Sequence, residues 1–459
     1  MNVIQRVHAP ALMSLVPRAK LSFIPGTTIK MWQLTGDFDP QRKVPTASRS
    51  GTRANVRATD LGATFEHGGR LYFLFGDTTP ARPELNNLAD DCIAWTNAAD
   101  PTTAPFLQWL TDDAGGFNAV RISTGGLPLA IEYGGYCVPQ SGFEGANRVM
   151  YIFYTQAVTK ADPNSNEDVT EYISSVLARS DDDGLTFRYM YHASFDKFYQ
   201  PWPQVVNASD WPMLPFRNGK VVLIWGTSTA YRNSDVYLAC CPLSEIETAT
   251  GVFIKQPTQW AYFAGVFDHA PVWSSLEREA VPLFKQPNAE GQPAIGEFSV
   301  AYIPAVRKWL MLYCHPGDAT QPRGIYCREA DQPWGPWELL DRTANGKFDV
   351  ELPALDGVIW TPDLGYGQYI HRRDIDDGLD LYGDSFGAPA PQASSEFYEV
   401  YDPISGWHRY EGGEYASYLI SRWCSYSNNE LLIRFSLSTW DPYQVILLQS
   451  SLHVDWMMA

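Results

Sequence analysis

Apolar and polar residues alternate along most of this chain, in short runs separated by turn residues. The most apolar runs include 149–155 (VMYIFYT), 220–226 (KVVLIWG) and 309–313 (WLMLY). Short runs of this kind, bounded by Gly, Pro, Asn and Asp, are typical of β-strands. No segment longer than about 15 residues has the period of an amphipathic helix. The pattern therefore predicts an all-β protein.

From Arg57 onward the strand pattern repeats in units. In each unit a first strand is followed by a hairpin, a long apolar strand, and one or two edge strands that carry polar residues. The units start near residues 57, 127, 199, 296 and 415, at irregular spacing. Short strands grouped in fours indicate a β-propeller or a β-sandwich.

Two local signatures favour the propeller. Residues 180–187 (SDDDGLTF) match the Asp-box pattern, a hairpin turn in which Asp182 bonds backbone amides and Gly184 takes a positive φ. This motif is a folding device, so we exclude it from the candidate site. Residues 30–36 (KMWQLTG) precede the first unit and are free to add a strand to the last one, which would cover an exposed sheet edge.

A hairpin signal spans residues 60–77 (DLGATFEHGGRLYFLFGD) and has an aspartate at each end. The Gly68-Gly69 pair supplies the positive φ angles of a two-residue turn. If His67 and Arg70 close that turn, Asp60 faces Asp77 directly across the ladder. Like charges in directly opposed positions destabilise a sheet, which is typical of a functional site rather than a scaffold. The alternative is that both aspartates are solvated turn residues.

Two opposed carboxyl groups have the asymmetry that glycoside hydrolysis needs, because mutual repulsion raises one pKa and leaves the other group ionised. One carboxyl donates a proton to the leaving oxygen, and the other acts as nucleophile or base. Direct opposition across a ladder favours the separation of about 5–5.5 Å found in retaining enzymes.

Composition narrows the function classes. The net charge is −18, from 52 acidic and 34 basic residues, so a polyanion such as nucleic acid is repelled. Aromatic residues make up 14% of the chain, which suits both β-sheets and sugar-stacking surfaces. The seven cysteines include no CxxC pair, and they predict neither a metal site nor a disulfide framework. We expect no cofactor and no metal.

The first 26 residues have no sustained apolar core followed by a small-residue cleavage site, so no signal peptide is predicted. No transmembrane span is predicted either. The protein is expected to be made in the cytoplasm, and a virion component or another enzyme released by lysis would have the same sequence features.

Several motifs resemble a known family. They are Asp60-Leu-Gly with Phe75-Gly-Asp77, Gly226 with Tyr231-Arg232 and 236–239 (VYLA), 296–300 (GEFSV) with 309–312 (WLML), and 438–445 (STWDPYQV). In this order they are similar to the five-bladed β-propeller family of bacterial endo-D-arabinanases, long catalogued as a domain of unknown function. The resemblance covers about residues 28–452. It implies cleavage of α-D-arabinofuranosidic linkages in D-arabinan, such as that of arabinogalactan and lipoarabinomannan, by two aspartates that match Asp60 and Asp77.

The resemblance also sets the expected domain organisation. A short N-terminal extension, residues 1–27, precedes a five-bladed propeller over residues 28–452. The stretch 340–412 is longer and more acidic than a minimal connection and is interpreted as an insertion. Its Asp-rich run 374–384 does not match the spacing of an EF-hand loop, so a solvated loop is the simpler interpretation.

Further residues at strand starts are expected to point into the same channel and to bind substrate. Most of these candidates are either substrate ligands or hydrogen-bonded wall residues. Glu297 is either a channel-facing ligand or third catalytic carboxylate, or a structural partner of an arginine. Arg232 is interpreted mainly as the partner of a channel carboxylate. The candidates are Asp91, Glu132, Gln140, Tyr231, Arg232, Glu297, His315, Glu414 and Trp440.

Three functions remain open at this stage. The first is an endo-acting glycoside hydrolase whose partner is a D-arabinan polysaccharide. The second is a different furanosidase, such as an L-arabinan or fructan hydrolase. The third is a non-catalytic carbohydrate-binding propeller of a phage or surface assembly, attached through the N-terminal extension.

Overall fold

A computed structural model describes residues 5–6, 17–39, 44–85, 90–123, 135–161, 168–248, 259–318, 321, 324–342, 356–360, 398–402, 406–410, 415–440 and 443–457. These residues are almost entirely strands, turns and short 3-10 helices. Within them the α-helices are α1 (Ser50–Ala54) and α2 (Leu243–Thr248). The prediction of an all-β fold is confirmed.

The N-terminal residues form strands that join sheets far away in sequence. They are β1 (Gln5–Arg6), β2 (Arg18–Phe23), β3 (Ile29–Gln33), β4 (Phe38–Asp39) and β5 (Val44–Pro45). Leu21 and Phe23 of β2 are fully buried, because alternate side chains of the strand point into the core. This part of the N-terminal extension is therefore packed within the protein and is not a loose arm.

The first two sheets are formed by consecutive strands. The first contains β6 (Val56–His67), β7 (Arg70–Pro80), β8 (Asp90–Thr96) and β9 (Gln108–Trp109) in that order. The second consists of β10 (Ile122–Ser123), β11 (Gly135–Glu144), β12 (Met150–Ala161), β13 (Asp168–Ser180) and β14 (Phe187–Ser194), with β10 beside β14.

The third and fourth sheets follow the same antiparallel plan. The third contains β15 (Gln200–Asn207), β16 (Lys220–Thr227), β17 (Tyr237–Pro242), β18 (Ala261–Phe267) and β19 (Ala270–Ser274), and β1 extends its outer edge. The fourth contains β20 (Phe298–Ile303), β21 (Lys308–His315), β22 (Gly324–Ala330) and β23 (Glu338–Leu339), and β25 (Val358–Trp360) also pairs with β22. Strand β24 (Asp341–Arg342), which precedes β25 in the chain, belongs to the last sheet.

The last sheet combines both ends of the chain. Its C-terminal strands are β28 (Tyr415–Leu419), β29 (Ser425–Ser427), β30 (Glu430–Trp440) and β31 (Tyr443–Met457). A separate two-stranded hairpin, β26 (Tyr398–Asp402) and β27 (Gly406–Tyr410), precedes them in the chain. Both β2 and β3 pair with β31, and β24 pairs with β2. The prediction that residues 30–36 add a strand to the last unit is confirmed by the pairing of β3 with β31.

The innermost strands of the five sheets, here called the first strands, surround a common axis. Strand β6 contacts β11, β11 contacts β15, β15 contacts β20, β20 contacts β28, and β28 contacts β6 again. Each sheet extends outward from its first strand, and buried aromatic and aliphatic residues fill the space between neighbouring sheets. This arrangement is propeller-like, so the sandwich alternative is excluded.

The turn between β13 and β14 has the predicted Asp-box structure. The Asp182 carboxylate accepts hydrogen bonds from the Thr186 amide at 2.9 Å and the Thr186 hydroxyl at 2.6 Å, and Gly184 has a φ of +94°. The turn lies at the end of the sheet opposite to the start of β11. It therefore stabilises the sheet without reaching the candidate site.

Candidate active site

The hairpin β6–β7 turns where the sequence predicts. His67 pairs with Arg70 across Gly68 and Gly69, whose φ angles are +59° and +78°. Two consecutive positive φ angles match a turn that follows the right-handed twist of the strands.

The predicted direct opposition of Asp60 and Asp77 is wrong. Ala63 pairs with Leu74 as the turn requires, but Leu61 then pairs with Phe75, so Asp60 faces Gly76. The cause is a β-bulge at Leu61 and Gly62, which have φ angles of +61° and +77° and insert one extra residue into β6. The argument for a retaining separation therefore loses its basis.

Gly76 makes room for the Asp60 carboxyl group. A Cβ atom at residue 76 would lie 2.8 Å from Asp60 Oδ1, 2.9 Å from Leu61 Cδ1 and 3.1 Å from Val138 Cγ1. Only a residue without a side chain fits there, because all three neighbours are packed. The Phe-Gly-Asp motif thus has a steric role at its glycine.

Asp60 is a buried carboxyl group, and its side chain is 6% exposed. The Tyr415 hydroxyl donates a 2.6 Å hydrogen bond to Oδ2, while Oδ1 has no hydrogen-bond partner among the described residues. Burial, and then the negative charge of Asp77, raise the pKa of Asp60 to about 7, although the Tyr415 and Tyr443 hydroxyls oppose the shift. Asp60 therefore keeps a proton at a pH where an ordinary aspartate is ionised.

Asp77 differs from Asp60 in its access to solvent. Asp77 is an exposed residue, and its backbone has a φ of +43°. Protein atoms around it still raise its pKa by partial desolvation. Because Asp60 is buried and Asp77 is open, Asp60 is the member of the pair that holds the proton.

Asp91 accepts a hydrogen bond from the backbone of Asp77 and so holds it in position. Its Oδ1 accepts the Asp77 amide at 3.1 Å, and its Oδ2 accepts the Tyr154 hydroxyl at 2.8 Å. Burial, followed by the charge of Asp77, raises the pKa of Asp91 well above its usual range. Asp91 is predicted from the sequence to bind substrate, but it is only 3% exposed and both its oxygens are bonded within the protein.

Glu297 and Arg232, named separately from the sequence, form an ion pair. Arg232 Nε and Nη2 lie 2.9 and 2.8 Å from Glu297 Oε1, and the Tyr231 hydroxyl donates to the same oxygen at 2.7 Å. Burial by itself raises the pKa of Glu297, but Arg232 and Tyr231 outweigh it and the net pKa is lowered. Glu297 is therefore an ionised carboxylate whose Oε1 is bonded to both Tyr231 and Arg232.

This ion pair reaches the aspartates through Tyr415. The Arg232 guanidinium carbon lies 5.3 Å from the centre of the Tyr415 ring, whose hydroxyl bonds Asp60. The charge of Glu297 also contributes to the raised pKa of Asp60. The first, third, fourth and last sheets thus contribute to one continuous group of side chains.

The remaining predicted residues are less central. Gln140 is buried and accepts a 3.3 Å hydrogen bond from Gln200, beside a cavity of about 10 Å³ that it shares with Glu297 and that is large enough for about one water. His315 is buried, which lowers its pKa; its Nδ1 accepts the Gly317 amide at 3.0 Å, and its Nε2 has no partner among the described residues.

Three predicted residues fall partly or wholly outside the described structure. Glu132 and Glu414 lie outside the described residues, as does most of the insertion 340–412 with its Asp-rich run. The backbone of Trp440 pairs with Tyr443 at the end of β30, and its side chain is not described.

Several residues around the aspartates have a strained backbone. Non-glycine residues rarely adopt positive φ angles, and such strain is typical of functional sites. The residues near the site that do so are Leu61, Asp77, Tyr231, Arg232 and Ala416.

Sequence reasoning missed the residues that decide the electrostatics of the site. Tyr415 begins the first strand of the last sheet, directly after the predicted Glu414, and Tyr443 lies within the motif 438–445. The position of Tyr415 at a strand start was the available signal. That its hydroxyl reaches Asp60 depends on contact between sheets.

A larger cavity, of about 1140 Å³, lies at the opposite end of the first strands. Its lining includes Glu66, Glu144, Trp202 and Trp211, and it contains neither Asp60 nor Asp77. Among the described residues no group of three or more His, Cys, Asp or Glu side chains is placed to hold a metal ion. Nor does any described helix have the length and apolarity to cross a membrane.

The fold and the site together define an all-β, propeller-like protein with an asymmetric pair of aspartates at one end of its central axis. Residues 46–449 match the family described as Domain of unknown function (DUF4185), and the chain belongs to this family. No curated protein matches the chain.

Solved structures with a similar fold include carbohydrate-active proteins. The catalytic domain of the Coprinopsis cinerea GH62 α-L-arabinofuranosidase is 13% identical, with coverage of 94% of this chain and 97% of that chain and a TM-score of 0.39. The Penicillium chrysogenum α-L-arabinanase in complex with arabinobiose is 12% identical, with coverage of 93% and 98% and a TM-score of 0.33. At these identities and TM-scores the likeness carries no argument about function.

Proposed function

We propose that this protein is an endo-acting glycoside hydrolase that cleaves α-D-arabinofuranosidic linkages in D-arabinan. The observation that carries the proposal is the division of properties between Asp60 and Asp77. One carboxyl is buried with a pKa of about 7, and its neighbour is open to solvent. The choice of D-arabinan rests on the motif resemblance. On the basis of the same motif resemblance, we propose that the five sheets are five propeller blades.

The two aspartates have complementary roles in this proposal. Asp60 is the proton donor. Because Tyr415 donates to Oδ2, the proton resides on Oδ1, which has no other partner among the described residues. A buried polar atom without a partner is uncommon, so Oδ1 is the oxygen left to carry the proton that Asp60 would donate.

Asp77 acts from the solvent side as nucleophile or base. Its φ of +43° directs the side chain away from the regular strand path, and the bond from its amide to Asp91 fixes that backbone. Arg232 and Glu297 form the wall beyond Tyr415, and the charge of Glu297 helps to keep Asp60 protonated.

The direct test is to replace each aspartate separately with asparagine and to measure the release of reducing ends from D-arabinan. General acid–base catalysis contributes about 10²–10⁴-fold, so each variant should lose at least about 100-fold in kcat. Asp268→Asn is a matched control, because Asp268 also has a positive φ, +48°, but lies on the hairpin tip between β18 and β19.

Unchanged cleavage by both variants would refute the assignment of the pair. L-arabinan is the parallel substrate: cleavage of L-arabinan alone would keep the hydrolase and change the sugar. If the parent protein binds D-arabinan and releases no product from either polymer, it is a carbohydrate-binding propeller without catalysis.

A further inference from the structure

The second sheet carries an exposed aromatic ring that is held rigidly in place. Phe195, in the loop between β14 and β15, is 54% exposed. Its ring is stacked on the His192 ring, with centroids 5.0 Å apart and planes inclined by 10°. Single exposed apolar side chains are ordinary on protein surfaces, so the distinguishing feature of Phe195 is that its ring is held by a stacking partner.

His192 is itself fixed at both ring nitrogens. Gln156 Nε2 lies 3.1 Å from His192 Nε2, and the Tyr189 hydroxyl lies 2.7 Å from Nδ1. Gln156 also donates to the Ser174 hydroxyl at 2.8 Å, which fixes the amide as a donor toward the histidine. His192 therefore accepts at Nε2 and carries its proton on Nδ1, as a neutral ring, and burial lowers its pKa accordingly.

The backbone that carries Phe195 is anchored as well. The Ser194 hydroxyl accepts the amides of Asp196 and Phe198, both at 3.1 Å. The carbonyl of Asp196 accepts the Thr229 amide at 2.9 Å. The Phe195 ring is thus preorganised, because neither its loop nor its stacking partner needs to be ordered when a ligand binds.

The same loop connects to the aspartate site through aromatic contacts. Thr229 belongs to the loop that carries Tyr231 and Arg232. Tyr172 is half-buried, and its ring centre lies 5.4 Å from that of Tyr199 and 4.4 Å from that of Tyr231. Tyr172 of the second sheet thus contacts both Tyr199, which lies in the loop of Phe195, and Tyr231, which lies beside Arg232.

We propose that Phe195, braced by His192, is a sugar-stacking platform that binds a distant residue of the polysaccharide substrate. The C–H faces of a sugar ring are apolar and fit an aromatic face, whereas the ring hydroxyls stay in water. A neutral glycan is also compatible with the net charge of −18, which would repel a polyanion. The platform would favour long chains over short ones, and it rests on the proposed function for the identity of the sugar.

The test is affinity electrophoresis in gels that contain D-arabinan or L-arabinan. Three proteins are compared, all in an Asp77→Asn background so that the polymer is not cut: the parent, Phe195→Ala and Phe267→Ala. Phe267 is the matched control, because it is 61% exposed on the hairpin tip between β18 and β19. A fourth protein, Phe195→Trp, retains a stacking face.

Phe195→Ala should weaken polymer binding about tenfold, the effect of losing one well-placed aromatic contact. Phe267→Ala should match the parent, and Phe195→Trp should keep the parental retardation. The proposal is overturned if Phe195→Ala is retarded as strongly as the parent, or if neither polymer retards the parent. Cleavage is measured separately with the protein that retains Asp77. Polymer binding without cleavage products would refute the hydrolase function and leave the stacking platform supported.

Discussion

The hydrogen bond from Tyr415 to Asp60 offers a test of Asp60 as the proton donor, because the hydroxyl group can be removed without removing the ring. Tyr415→Phe removes the hydroxyl that lies 2.6 Å from Asp60 Oδ2 and leaves the ring in place. This hydroxyl stabilises the ionised carboxylate and so lowers the pKa of Asp60, which burial raises to about 7. Its removal should therefore raise that pKa further.

The size of the effect follows from the strength of the bond. A hydrogen bond to a charged group contributes about 1.5–3 kcal/mol, and one pKa unit corresponds to 1.36 kcal/mol. The pKa of Asp60 should rise by about one to two pH units. If Asp60 must be protonated to act as the acid, activity is lost as the pH rises through its pKa. The alkaline limb of kcat/KM should then move upward by the same amount.

The assay is the initial rate of reducing-end release from D-arabinan between about pH 4 and pH 10. Tyr418→Phe is the control, because the Tyr418 hydroxyl is buried near Asp60 and has no hydrogen-bond partner among the described residues. Its alkaline limb should coincide with that of the parent. An alkaline limb of Tyr415→Phe at or below the parental position refutes the reasoning, and an upward shift of the acid limb would instead make Asp60 the base.

Four further variants test the pair and its surroundings. In thermal melts, Asp60→Asn should stabilise the protein at pH 8, by at most about 4 kcal/mol, but not at pH 4. The reason is that the pKa of Asp60 is about 7 in the folded protein and near 3.8 in the unfolded chain. The stability of the parent protein therefore falls as the pH rises between these two values. Equal melting temperatures of variant and parent at pH 8 would contradict this. Gly76→Ala should abolish cleavage and lower stability by about 1–3 kcal/mol, because its Cβ would meet the Asp60 carboxylate. Gly69→Ala is the comparison, since no atom lies within 4 Å of its added Cβ. It should lower stability by only about 1 kcal/mol, because of its positive φ. Asp182→Ala should lower stability by about 1–2 kcal/mol with kcat unchanged, and a fall in kcat would show that the Asp box communicates with the site.

Local signals in the sequence were sufficient for the strands and turns. The Gly68-Gly69 turn and the Asp box with Gly184 form where the sequence predicts them, because glycine at a positive φ and an aspartate bonding nearby amides act within a few residues. The pairing of β3 with the last sheet was also predictable, since an open sheet edge needs a partner.

The register at the site was not predictable from the hairpin. The bulge at Leu61 and Gly62 is held by the last sheet: the Ser436 hydroxyl donates to the Gly62 carbonyl at 2.7 Å and the Ser438 hydroxyl to the Leu61 carbonyl at 3.0 Å. Val445 packs so closely against Gly62 that a Cβ there would lie 2.7 Å from its Cγ1. These contacts join residues more than 370 positions apart.

The sequence by itself determined that this chain folds into β-sheets and that Asp60 and Asp77 flank one hairpin. Only the tertiary structure decided that Asp60 is buried against Gly76 and bonded to Tyr415, while Asp77 faces solvent. The hairpin treats its two ends alike, and desolvation depends on what other sheets place around each carboxyl group. Burial raises the pKa of Asp60 to about 7 and assigns the proton of the pair to it.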